Sequence, residues 1–480
     1  MGKTFNQGRR RRSNVKGALL KAYHALPTPL RSVAASLRGF YLQSWRYGPE
    51  TDRLVQEALT RESWAPDQWK VSQEERLRYV LCRAATQVPY YREQWVARRR
   101  AGDKASWEYL ENWPILEKES LRENPRAFVA DDCDVTQMFQ EHTSGSTGKP
   151  LSLWQSRKTI RELYALNEAR TLRWNGLSRH NRLAMVAGRL VTPVSQRKPP
   201  FWVWNQGLNQ LYMSSYHLAP DLIGSYLEAI SRYRVTYLSG YPSSLYALAQ
   251  AGLGLGRKEV RMAVAITSAE PVYDYQRAAI AEAFNCPVRE TYGMAEMVAM
   301  ASECAFGWLH LWPEIGMVEV IQDGQSVSNG TSGELICTGL LNPDMPLIRY
   351  RVGDRGRLID SAEVCQCGRT LPVLGSVEGR TGDVLYTKDG RQVSRFGAVF
   401  NGDLGLREAQ IVQETLDCIR VNFVPTPAFN SDHERVIVQR LKERMGDIEV
   451  VMQPMTEIPR GPSGKFRIVI CRLPKEDLPV

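Results

Sequence analysis

The spacing of hydrophobic positions changes along the chain, and the changes divide it. Between residues 50 and 130 apolar side chains recur at helical spacing, as in Leu54, Ala58 and Leu59 and again in Leu77, Val80, Leu81 and Ala84, which predicts amphipathic helices. Pro89-Tyr90-Tyr91 and Pro114 interrupt the pattern, so this part reads as a helical lead-in rather than a catalytic region. From about 140 onward short apolar runs alternate with helical stretches. Residues 235–238 read as a strand, Ser239-Gly240-Tyr241-Pro242 as a turn and 243–252 as a helix. The same plan returns with a strand at 260–267, a helix at 271–284 and the approach to another strand at 287–291. Such a succession predicts an α/β fold with mostly parallel sheets flanked by helices, in which ligands gather at the carboxyl ends of the strands. After Arg380 the texture changes again. Residues 383–386, 420–424, 435–439 and 466–471 read as strands, with a turn at Lys388-Asp389-Gly390, in a small α+β domain.

Length agrees with more than one unit, since 480 residues exceed what a single small core organises. The expected division is a basic arm or amphipathic helix over 1–49, a large domain over 50–379 and a small domain over 380–480, with the joint near Gly379 to Asp383. A hydrophobic fraction of 43% and a charged fraction of 24% are ordinary for a globular chain.

The net charge of +10 comes entirely from the arm. Its ten bases, from Lys3 through the run Arg9-Arg10-Arg11-Arg12 to Arg46, stand without one Asp or Glu, and the rest of the chain balances 52 bases against 52 acids. A basic arm on a neutral body predicts an electrostatic contact by the arm, with an anionic membrane face, a protein or a polyanion as partner. Residues 15–42 carry enough Leu, Ala, Tyr and Phe for a helix on a membrane surface; a solvated tail leading into a packed helix accounts for the same pattern. No motif for nucleic-acid recognition accompanies the charge, so nucleic acid is not the expected partner. No apolar run is long enough to span a bilayer, and no secretory leader pattern follows the basic start. With nine scattered cysteines, an odd number, the expected location is the cytoplasm, with peripheral contact at the inner membrane face as the arm's contribution.

The strongest local chemistry lies at His142-Thr143-Ser144-Gly145-Ser146-Thr147-Gly148-Lys149-Pro150. Glycines let the backbone turn its N–H groups inward, the hydroxyls add donors and Lys149 adds charge, which together make a cradle for phosphate oxygens. The order is not that of a Walker loop, and composition alone would also allow a surface Ser/Gly turn. Further segments follow in order: TSAEP at 267–271, ETYGMAE at 290–296, GELICTGL at 333–340, IRYRVGDRG at 348–356, EGRTGD at 378–383 and PRGPSGKFR at 459–467. With these segments the sequence resembles the adenylate-forming superfamily of acyl-CoA synthetases, and within it the phenylacetate-CoA ligase-like group that includes CapK proteins of capsular polysaccharide biosynthesis. The matching segments run from 142 to 467; the first 140 residues match only in loose character.

The resemblance implies a large adenylate-forming domain and a small mobile C-terminal one, and it implies roles residue by residue. Thr143 to Lys149 would hold the outer phosphates of ATP, while Ala269, Glu270 and Pro271 would border the adenosine. Tyr292, followed by Gly293, would lie along adenine, for which an aromatic face is apt. Glu296 would help hold Mg2+, as suits a hard carboxylate oxygen. Asp354 would accept both ribose hydroxyls and Arg380 would reach the nucleotide from the domain border. Lys465 would place an ammonium on the charge that develops as a carboxylate attacks the α-phosphorus. The substrate brings its own nucleophile, so positioning and charge neutralisation suffice.

A second constellation reads as a metal site. Cys304, His310, Cys365 and Cys367 form C-x5-H, a long gap, then C-x-C, three thiolates and an imidazole that match a closed tetrahedral zinc set. Incidental buried cysteines and a surface histidine are the alternative. Some members of the resembled group carry a structural zinc at a similar place.

The chain departs from the resembled pattern twice. Gly382 stands where an acidic residue usually follows the hinge arginine, with Asp383 next, and 395–403 lacks the wording that phenylacetate-CoA ligases use there. The second departure weakens the expectation of coenzyme A as acceptor. The predicted function is therefore ATP-dependent activation of a small carboxylic acid to acyl-AMP, then acyl transfer to coenzyme A or to another thiol, amine or hydroxyl. A transferase that leaves an AMP-modified product, or a scaffold on a retired ligase fold, are the alternatives. Trp154, Tyr241 and Met294 are candidates for the acid pocket, and a homodimer is compatible with the sequence.

Overall fold

The computed structural model describes residues 19–142, 151–193, 195–218, 221–257, 259–359, 365–380, 385–388, 392–393, 396–400, 404–461 and 466–474. The lead-in is helical as its periodicity predicts, with helices at Thr28–Arg46, Thr51–Arg61, Pro66–Gln87 and Pro89–Arg100. The third begins with Pro66 in its first turn, and Gln68 folds back to accept the Ala65 N–H at 2.9 Å. One stripe of it, with Val80, Leu81 and Ala84 fully buried, joins Tyr91, Trp113, Phe128 and Tyr350 in the first core. Each fully buried large apolar side chain there contributes about 1.5–3 kcal/mol.

The strands follow in chain order as β1 Phe139–His142, β2 Ser152–Gln155, β3 Leu183–Ala187, β4 Trp202–Asn205, β5 Gln210–Ser214, β6 Tyr237–Gly240, β7 Ala265–Ser268 and β8 Val288–Gly293. They continue as β9 Met300–Glu303, β10 Leu309–Leu311, β11 Gly316–Gln322, β12 Gln325–Ser326, β13 Gly333–Gly339, β14 Tyr350–Ile359 and β15 Val373–Arg380. Among the described residues β3 to β15 form one sheet of thirteen strands, ordered β12-β11-β13-β14-β15-β10-β9-β8-β7-β6-β3-β5-β4.

The expectation of a mostly parallel sheet is corrected. Only β5, β3, β6, β7 and β8 run parallel as neighbours; from β8 through β15 every pairing is antiparallel. Short connections account for part of this. Asp323-Gly324, both at positive φ, turn β11 directly into β12, and a short turn leaves no length for a crossover helix. In the parallel half, alternate side chains serve two cores. Ala184, Val186, Leu238, Ala265 and Val288 pack against the helices Ile223–Arg232, Pro242–Gly254 and Asp274–Phe284, while Leu183, Tyr237, Val264 and Ile266 face the other side.

Beyond β15, β16 Leu385–Tyr386 pairs with β17 Gln392–Val393. A second sheet joins β18 Leu406–Gln413, β19 Cys418–Pro425, β20 Glu449–Pro454 and β21 Val469–Cys471 in the order β20-β19-β18-β21. Residues 435–439, expected as a strand, lie instead within the helix Ser431–Met445. Asn430 caps it by accepting from the N–H groups of Asp432 and His433, and Ile437, Leu441 and Met445, four residues apart, bury its inner face. Periodicity and cap outweigh the β-branched Val436-Ile437-Val438.

The described part of the basic arm is packed on the large domain. Arg31 is buried and donates to Thr192 Oγ1 at 2.6 Å and Gln196 Oε1 at 3.2 Å. Among the described residues no helix is long and apolar enough to cross a membrane.

Candidate active site and Cys/His cluster

The ends of the parallel strands bring the expected residues to one edge. Ala269 and Glu270 follow β7, and β8 ends in Tyr292 and Gly293, with Glu296 three residues on. Ala269 is left-handed, with φ of 67°, so the chain turns sharply as it leaves the sheet. The turn places Glu270 where its Oε2 accepts the N–H of Ser243 at 3.2 Å and its Oε1 accepts the N–H of Phe466 at 2.7 Å. Phe466 belongs to the small domain and immediately follows Lys465 in sequence. Burial raises the Glu270 pKa, and the two backbone donors oppose that rise.

Tyr292 and Asp354 also meet: the tyrosine hydroxyl donates to Oδ2 at 2.9 Å. Asp354 lies on β14 in register with Arg380 on β15, so the expected ribose acceptor and the expected nucleotide contact share one strand pair. Glu296 Oε1 accepts from Tyr350 Oη at 3.0 Å and from Lys118 Nζ at 3.1 Å. Lys118 carries no signal of this contact in the helical pattern of the lead-in. Mutual backbone bonds between Leu116 and the Arg349-to-Arg351 stretch tie it to β14, a tertiary contact with no signal in sequence. The phosphate-loop residues 143–150, together with Gly382, Asp383 and Lys465, lie outside the described residues. His142 at the end of β1 pairs with Ser152 at the start of β2. His142 Nδ1 is 3.4 Å from Ser152 Oγ.

Of the acid-pocket candidates, Tyr241 follows β6, while Trp154 and Met294 pack against the first core. Glu290, on β8, is a carboxyl that sequence reasoning passed over. Burial, with Glu303 beside it, pushes it up to about 7.

The four predicted metal ligands converge. The donor atoms of Cys304, His310, Cys365 and Cys367 all lie within 4.8 Å of one another. His310 Nε2 is 3.3 Å from Cys365 Sγ and 3.4 Å from Cys367 Sγ, and the sulfurs of Cys304 and Cys365 are 3.5 Å apart. Tetrahedral bonds of about 2.3 Å to one zinc would separate the sulfurs by about 3.8 Å, so the spacing fits. The His310 Nδ1 contact to the Leu371 carbonyl, at 3.1 Å, directs Nε2 toward the thiols. Burial lowers the His310 pKa, favouring the neutral imidazole that binds metal. Around the cluster Arg369 donates to Glu62 Oε2 at 2.9 Å and lies over Trp174. Trp174 donates to the other Glu62 oxygen at 2.8 Å.

This arrangement can be set beside known proteins. The model of the AMP-binding enzyme family matches residues 138–340, and that of the CapK C-terminal domain matches 385–472. Protein CapK of Staphylococcus aureus is 26% identical over 379 residues, covering 77% of this chain and 82% of its own. Phenylacetate-coenzyme A ligase of Thermus thermophilus is 24% identical over 468 residues, covering 88% of this chain and 99% of its own. Among solved structures, 2-hydroxyisobutyryl-CoA ligase in its postadenylation state, with a bound acyl-AMP, is similar in fold with a TM-score of 0.67 at 20% identity, over 87% of this chain and 92% of that one. Over 138–340 and 385–472 the chain is thus similar to AMP-binding enzymes and to CapK, and over most of its length to phenylacetate-coenzyme A ligase.

Proposed function

We propose that this protein activates a carboxylic acid with ATP and then hands the acyl group to coenzyme A or another nucleophilic acceptor. The observation that carries the reading is the convergence of Glu270, the Tyr292–Asp354 pair and Glu296 at one edge of the sheet, with Phe466 of the small domain seated on Glu270. In the first step a carboxylate oxygen attacks the α-phosphorus. An acyl–oxygen–phosphorus bond forms, the bond to the β-phosphate oxygen breaks and pyrophosphate leaves. Asp354 accepts from the ribose hydroxyls, Arg380 contacts the same nucleotide and the Tyr292 ring covers adenine. Residues 143–149 hold the outer phosphates, and Lys465 neutralises charge gathering on the α-phosphoryl oxygens. Mg2+, held by Glu296, would offset charge on the leaving pyrophosphate.

In the second step the acceptor attacks the acyl carbon and AMP departs. The departure at 395–403 and the match of the small domain to the CapK model favour an amine or hydroxyl acceptor, as polysaccharide biosynthesis would supply, over a thiol. The Cys/His cluster would hold a structural zinc: its four donors would leave no position open, so the metal would brace the segments after Glu296 and Asp354 and take no part in the reaction.

The test is mass analysis of the products from an acid labelled with heavy oxygen at its carboxylate, with ATP and candidate acceptors. Transfer of one labelled oxygen to AMP, with an acylated acceptor, is expected. Unlabelled AMP, or AMP joined stably to the acceptor, would replace this reading with nucleotidyl transfer.

A further inference from the structure

The helix Thr28–Arg46 buries one face against the large domain and leaves an opposite, apolar face uncovered. Arg31, Gly39, Leu42 and Trp45 point inward. Outward stand Leu30 at 50% exposure, Val33 at 54%, Leu37 at 66%, Phe40 at 50% and Tyr41 at 47%. At about 100° per residue these five fall within a stripe roughly 100° wide along a helix about 28 Å long. Helix rotation cannot hide the stripe. A Cβ at Gly39 would come within 1.8 Å of Asn205 Oδ1, and one at Gly207 within 2.4 Å of the Phe40 nitrogen, so the two elements touch at closest approach and fix which face looks out.

Charge then selects what covers the stripe. Residues 1–49 carry ten Lys or Arg and no acid, and Arg38 lies beside the stripe, 4.8 Å from the Tyr41 ring. A second copy of the chain would bring its own ten bases against these and be repelled. An anionic bilayer complements both features at once, taking the apolar side chains at the headgroup boundary and the bases at its phosphates. No described helix spans a membrane, which leaves a surface attachment.

We propose that this helix, together with the basic residues preceding it, docks the protein on the surface of an anionic lipid bilayer. The stripe enters the interface and the bases strengthen binding, each by roughly fivefold near such a surface. The attachment is independent of the reaction proposed above.

The experiment is co-sedimentation of the full chain with vesicles of phosphatidylcholine alone and of phosphatidylcholine mixed with phosphatidylglycerol, at low and high salt. Binding to the mixed vesicles is expected, falling as salt rises, with little binding to phosphatidylcholine alone. The double variant Leu37→Ser, Phe40→Ser is expected to bind about tenfold more weakly with an unchanged melting temperature. A second variant, with Arg9, Arg10, Arg11 and Arg12 all changed to Gln, leaves the helix intact and is expected to lose roughly a hundredfold or more. It decides the matter if the first variant misfolds. Equal binding to both kinds of vesicle would overturn the proposal. So would wild-type binding by either folded variant, or a dimer in sedimentation equilibrium that the stripe variant dissociates while still binding lipid as the wild type does.

Discussion

Glu270→Gln is expected to loosen the seat of the small domain while keeping the side chain's size. The carboxylate serves two donors at once, Phe466 N–H at 2.7 Å and Ser243 N–H at 3.2 Å. A glutamine has one acceptor oxygen and turns an NH2 toward the other donor. A hydrogen bond to a charged acceptor is worth about 1.5–3 kcal/mol, and a buried donor left without a partner costs about 1–3 kcal/mol. The seat therefore weakens by about 2 kcal/mol, and the seated arrangement becomes roughly thirtyfold less populated. In rapid-quench single turnovers, acyl-AMP formation is expected to slow by roughly tenfold to a hundredfold, with ATP affinity within about threefold of wild type. Acid acts on the same contact. Because burial raises the Glu270 pKa, the wild type loses the ionised acceptor as pH falls through that raised value, above the ordinary carboxylate range, and Glu270→Gln lacks this limb. A folded Glu270→Gln protein with the wild-type rate and the wild-type acid limb would refute the reasoning.

Three further outcomes are expected. Asp354→Ala removes the acceptor of the Tyr292 hydroxyl and the proposed ribose contact, so KM for ATP rises by roughly tenfold to a hundredfold in initial-rate assays; an unchanged KM would remove Asp354 from the nucleotide site. Cys304→Ser opens the four-donor cluster, so elemental analysis finds zinc in the wild type and little in the variant, which melts roughly 5 °C or more lower. Wild-type protein purified without zinc, folded and equally stable, would contradict this. Glu290 titrates at about 7 in the fold against an ordinary value of 4.5, so in that window the native state holds a proton the unfolded chain has released. Stability therefore falls as pH rises through the window, by about 3 kcal/mol. Glu290→Gln removes that slope and melts above wild type at about pH 8, unless the assignment is wrong, in which case the two melting curves shift together with pH.

Glu270, Tyr292 and Glu296 lie at or just beyond the ends of β7 and β8 because their motifs close those strands, whereas Asp354 lies within β14 and meets Tyr292 through its side chain. All four members of the Cys/His set are legible in the sequence, and the pairing of β10 with β15 brings Cys365 and Cys367, which precede β15, beside Cys304 and His310. What was missed depends on tertiary contact. Lys118 reaches Glu296 only because Leu116 joins β14, and no local pattern announces that. The Phe466–Glu270 bond is between domains and uses a backbone N–H, which side-chain motifs do not encode. Two errors had signals in the chain. Asp323-Gly324 marks the tight antiparallel hairpin of β11 with β12, and Asn430 followed by Ile437, Leu441 and Met445 marks a capped helix where β-branched residues suggested a strand.

The most direct test of the central claim is carboxylate-dependent exchange of labelled pyrophosphate into ATP across a panel of acids, with wild type and Lys465→Ala in parallel. Exchange with at least one acid, lowered roughly a hundredfold or more in Lys465→Ala while ATP still binds, is the predicted result. Bound ATP without exchange for any acid, or equal exchange by the two proteins, would contradict the account.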